Sequence, residues 1–150
     1  MLSLSGYQGI SLARFRGVRT AMDPITPIRQ SAGCDIGQTQ GHIRVAVGPG
    51  LATQVQECYR AFVNECLQRA CTRALVVGTA RIDEFQHLAL RDALRSMALA
   101  GLPAGFRLAL VATTPNLIAI YDAVLIEGRR HGIEVMRFPS EEAAIRWLAN

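Results

Sequence analysis

Hydroxyl, guanidinium, carboxyl and amide side chains recur wherever this chain passes from an apolar stretch into a helical one. They are Thr79, Arg81, Asp83 and Glu84 after ALVVG, Thr113, Thr114 and Asn116 after FRLALVA, and Ser140 after IEVMRF. Residues of these types can hold a small anion, because helix N-termini present unpaired N–H groups and a guanidinium fork matches an oxyanion. They are equally the ordinary helix caps, whose oxygens accept from those same N–H groups. Both readings stay open at this point, and neither amounts to catalysis.

The remaining reactive types are scattered. Cysteines at 34, 58, 66 and 71 form no C-x-x-C and no paired Cys/His spacing, which argues against zinc or any other metal site. Cys58 and Cys66 fall on the apolar stripe of a helix, where a free thiol behaves as a small hydrophobe. With no secretory signal in view, that usage predicts a reducing, cytoplasmic setting. His42, His87 and His131 lie far apart and read as surface or helix-end residues. A nucleophile pair of Cys58 with any of them would be shielded on the inward face of its helix. Gly48-Pro49-Gly50 is a turn, since it lacks the third glycine of a dinucleotide fingerprint. No nucleophile with an orienting partner can be named, so the expectation is a protein that is not an enzyme, with no catalytic residues and no cofactor.

At 150 residues, half of them hydrophobic and 19% charged, the chain has ordinary globular composition and room for a single core. Every basic residue is Arg, and of the net +4 charge, +2 belongs to residues 1–41, leaving the remainder close to balanced. Arg129 and Arg130 are the only adjacent basic pair, so nucleic acid is not an expected partner. No apolar run reaches the 18 or so residues that a membrane span needs.

The elements that would position the hydroxyl-rich junctions begin near residue 42. Residues 1–41, interrupted by Pro24 and Pro27, keep no period and read as a flexible leader or an over-extended start, with Met22 the next candidate initiator. From His42 to Val47 residues alternate as in an edge strand. Val55, Cys58, Tyr59, Phe62, Val63 and Cys66 then recur at helical spacing. Ala74–Gly78 and Phe106–Ala112 are continuous apolar runs suited to strands covered on both faces. Between them Asp83 can cap a helix with Phe85, Leu88, Leu94 and Met97 inward and Arg91, Asp92 and Arg95 solvated. Thr114 with Pro115 starts another helix, Ile133–Phe138 forms a strand, and Ser140 caps the last helix. This order predicts an α/β domain over residues 42–150, with a four- to five-stranded, mostly parallel sheet.

On ALVVGTARIDEF, GFRLALVATTP and FPSEEAAIRWL, residues 42–150 resemble the SpoIIAA-like (STAS) superfamily, the sulfate transporter and anti-sigma-factor antagonist domains. In the antagonists an Asp-Ser pair opens the helix after the central strand, and a partner kinase phosphorylates that Ser. Here Asp83 stands in the matching place but is followed by Glu84, which cannot be phosphorylated and offers a fixed negative charge. The resemblance implies a regulatory, protein-interaction domain working through residues 79–85. The alternative is a small-molecule, anion or lipid-binding domain using the carboxyl edge of the sheet, where Thr79, Arg81, Asp83, Glu84, Thr113, Thr114, Asn116 and Ser140 would gather. Self-association through the strand at His42–Val47 is a further expectation about partners.

Overall fold

The computed structural model describes residues 24–31, 33–48, 52–78, 84–103 and 105–150, without the side chains of residues 52, 84–87 and 116. The strands are β1 (Thr26–Ser31), β2 (Cys34–Gln38), β3 (Ile43–Val47), β4 (Arg73–Gly78), β5 (Arg107–Val111) and β6 (Glu134–Phe138). The helices are α1 (Ala52–Gln68), α2 (Glu84–Ala100), α3 (Pro115–Arg130) and α4 (Glu141–Ala149). They build a small α/β domain around one mixed sheet of order β1-β2-β3-β4-β5-β6. The first three strands pair antiparallel, and β3 through β6 pair parallel.

Strand order explains which face each helix covers. Successive parallel strands step in one direction, so right-handed crossovers place α1, α2 and α3 on the same side. Ala74 and Val76 of β4 and Leu108 and Leu110 of β5 point into the cluster beneath those helices. The alternate residues Leu75, Ala109 and Val111 face the other way and meet Ala144 and Leu148 of α4. This two-faced burial is why both strands read as unbroken apolar runs. Trp147 anchors α4 further, lying 5.3 Å from the Phe138 ring and 3.9 Å beneath the Arg107 guanidinium.

Two expectations are corrected by the N-terminal strands. Among the described residues the sheet has six strands rather than four or five, and the region read as a leader through residue 41 contributes two of them. Residues 1–23 lie outside the described residues. The hairpin closes at Ser31 and Cys34, with Gly33 at a positive φ of 73° that suits glycine in a tight turn. It covers the outer edge of β3, so the strand expected at an edge is internal, and Ile43, Val45 and Val47 are fully buried. That removes its backbone from any self-association. Among the described residues the outermost strand on this side is β1, where Pro27 and a register shift between Pro27 and Arg29 interrupt the ladder, two features that blunt sheet edges.

Within α2 the inward stripe is Ala89, Leu90, Ala93, Leu94 and Met97. Leu94 and Met97 therefore face the core as expected, whereas Leu88 is turned outward and is 54% exposed. On α3, Gly128 lets the helix backbone approach β6. A Cβ there would drive into Val135 Cγ2 and come within 3.3 Å of Val135 Cβ. Gly128→Ala will therefore cost about 1–3 kcal/mol by overpacking, despite alanine's better helix propensity. A urea unfolding midpoint equal to or above the parent's would contradict this packing.

Candidate functional site

The carboxyl edge of the parallel strands carries the residues singled out by the sequence. Thr113 and Thr114 leave β5 and Ser140 leaves its neighbour β6, and the two exits are tied by the Ala112 N–H donating to the Phe138 carbonyl at 3.0 Å. Thr114 Oγ1 accepts from the Leu117 N–H at 3.3 Å, and Ser140 Oγ accepts from the Ala143 N–H at 3.1 Å. Both hydroxyls thus cap helices, α3 with Pro115 at its first position and α4 with Glu141 and Glu142 in its first turn. Each cap still has its own O–H to donate. Thr113 is exposed. Glu84 opens α2 and Asn116 lies in the first turn of α3, while Thr79, Arg81 and Asp83 fall outside the described residues.

A second polar cluster was not singled out by the sequence. Glu127 of α3 is only 2% exposed, yet it is charged and fully engaged. Its Oε1 accepts from Arg91 Nε at 3.2 Å and Nη2 at 2.9 Å, both reaching across from α2. Its Oε2 lies 2.8 Å from His131 Nε2 and 3.7 Å from Arg95 Nη2. An ionised carboxylate only accepts, so Nε2 carries the proton in that bond. Arg91, expected in solvent, is instead the cross-helix partner of a sequestered acid. The spacing held a clue: Arg91/Arg95 and Glu127/His131 are both four apart, which puts each pair on one helix face.

Hydrogen bonds from Arg91 and then His131 hold the Glu127 carboxyl down to about 2, against the upward push of burial and with help from the Arg95 and Arg91 charges. A carboxyl depressed in the folded state contributes stability above its ordinary value of 4.5, and that contribution disappears as pH falls from there towards 2. Glu127→Gln will therefore be less stable than the parent at neutral pH, with the gap narrowing through that acid window. A gap that stays constant in urea titrations from neutral pH to pH 2 would refute this role.

Cys58 is buried on α1 as its spacing predicts, but its sulfur is bonded to Cys34 of β2. The expectation of a free Cys58 thiol is thereby corrected: the N-terminal segment expected to be a leader forms β2, and its first residue, Cys34, reaches α1. Cys66 and Cys71 remain free, and burial pushes the Cys66 thiol well up, leaving it unreactive. The Tyr59 and Tyr121 hydroxyls are buried without a hydrogen-bond partner among the described residues. Burial raises both phenols, with Tyr121 adding to the effect on Tyr59, so both stay protonated at neutral pH.

Among the described residues, no group of three or more His, Cys, Asp or Glu side chains is placed to hold a metal ion. Likewise no described helix is long and apolar enough to cross a membrane. Comparison with protein-family models and with curated proteins finds no match.

Proposed function

We propose that the chain is a non-enzymatic, STAS-like interaction domain that docks a partner protein through the beginning of α2 and the segment leading into it. The observation that carries the reading is Leu88. It is a large apolar side chain, 54% exposed, in the first turns of a helix whose next apolar positions, Ala89, Leu90, Ala93 and Leu94, are buried. Outward leucines cost little singly but supply contact area when a partner covers them. Glu84 is the first residue of the same helix, where an acidic residue suits the positive end of the helix dipole. With no hydroxyl at that position, docking is constitutive rather than switched by phosphorylation.

The test is a photo-crosslinking residue placed at Leu88 in the full chain, in its own cells, with the same residue at Leu99 as control. Leu99 is 85% exposed at the far end of α2. A single protein captured from position 88, not from 99, and lost in a Leu88→Asp variant crosslinked through position 92 supports the reading. Equal capture from both positions, or none, overturns it. Leu88→Asp should itself cost no more than about 1 kcal/mol, because more than half of the residue is already exposed to water.

A further inference from the structure

We propose that Cys34 and Cys58 form a reversible thiol–disulfide site served by a small, glutathione-type thiol. Both cysteines line a cleft of about 400 Å³, within the range of small-ligand sites. The cleft lies between the outer strand β1, which contributes Arg29 and Ser31, and the first turns of α1, which contribute Thr53 and Glu57. Arg29 is exposed and supplies a cation for a carboxylate of the incoming thiol, while Glu57 and Thr53 offer acceptors for its amine and amides.

Access selects the size of the reductant. Cys34 is 5% exposed and Cys58 1%, so the bond is recessed from the surface and reached through the cleft rather than across a flat face. A small thiol fits such an approach better than the folded surface of a protein reductase. Cys34 is the more accessible of the two residues, and the chemistry follows from that. The thiolate attacks Cys34 Sγ, the Cys34–Cys58 bond breaks, and Cys58 leaves as a thiolate that takes up a proton. A second thiolate then attacks the small thiol's sulfur in the mixed disulfide and expels Cys34, which is protonated in turn. The protein gains two electrons and two protons, and two thiols become one oxidised disulfide.

The fold does not depend on the bond. Strand β2 is already held against β3 in a ladder running from Cys34 opposite Val47 to Gln38 opposite Ile43. Helix α1 is held by Val55, Tyr59, Phe62 and Val63 in the core. Reduction leaves both elements in place with two thiols at the cleft.

The experiment equilibrates the folded, full-length protein in glutathione buffers of graded oxidation, traps thiols by alkylation and maps the labels by peptide mass. Cys34 and Cys58 are expected to become labelled together in one transition while thermal melts still report a folded chain and Cys66 stays unlabelled. In the Cys58→Ser variant, oxidised glutathione should add about one glutathione per chain, on Cys34. The proposal fails if the pair is labelled only after denaturant is added, if both thiols remain free in fully oxidised buffer, or if the variant is modified at Cys71 and not at Cys34.

Discussion

The oxidised protein will resist unfolding by about 3.5 kcal/mol more than a Cys34→Ala, Cys58→Ala variant. The two cysteines are 24 residues apart, and closing a loop of that size in the unfolded chain accounts for a stabilisation of this order. Expressed in urea, the midpoint falls on the order of 1–3 M, and the slope rises because the unlinked unfolded chain exposes more surface. Chemically reduced parent protein separates the cross-link from the loss of two buried sulfurs, and it should account for most of the difference. A gap below about 1 kcal/mol would mean that the bond does not constrain the unfolded ensemble as the loop length predicts. Because small domains have roughly 5–15 kcal/mol in hand, the uncrosslinked chain still folds.

Phe62→Ala will cost about 3–5 kcal/mol, the range for emptying a buried aromatic site. Phe62 is completely buried, at the third turn of α1, in the cluster that α1, α2 and α3 share over the sheet. The site has little means of collapsing around the void, since the strand residues of the same cluster, Val45, Val76 and Leu108 among them, belong to paired internal strands. Leu99→Ala serves as the counterpart: 85% exposed, it should move stability by no more than about 0.5 kcal/mol. Similar costs for the two substitutions would mean that α1 is not seated on the sheet in this register.

Phe62 was visible in advance because helical periodicity is a local signal, and the same is true of β4, β5 and the capped starts of α3 and α4. The N-terminal hairpin was hidden for an equally physical reason. Strand β1 is almost wholly exposed and contains Pro27, so it has neither an apolar run nor an alternation to detect. Strand β2 alternates over only Cys34 and Ile36 before polar residues resume. Pairing, not propensity, makes these segments strands. Leu88 shows a different failure, one of phase. Leucines at 88, 90 and 94 all fit an apolar helix, and only the observed seating of Ala89 and Ala93 against the core determines which of them turns outward. For the candidate site, the hydroxyls of Thr114 and Ser140 were legible as caps, whereas the Glu127 cluster and the Cys34–Cys58 bond join separate elements and require knowing which of them are neighbours.

Arg44 of β3 and Glu141 of α4 meet in a two-pronged ion pair, Nε to Oε2 at 2.5 Å and Nη2 to Oε1 at 3.1 Å, with both side chains about one-fifth exposed. Their separation of 97 positions has a consequence for synthesis. At ribosomal rates of about 5–20 residues per second, Arg44 is made roughly 5–20 s before its partner exists. The hairpin and β3 can pair in that interval, but the sheet face that α4 will cover, with Leu75, Ala109 and Val111, stays wet until α4 has left the ribosome. Nascent chains of this protein therefore pass through a stage in which one side of the sheet is finished and the other is open to chaperones.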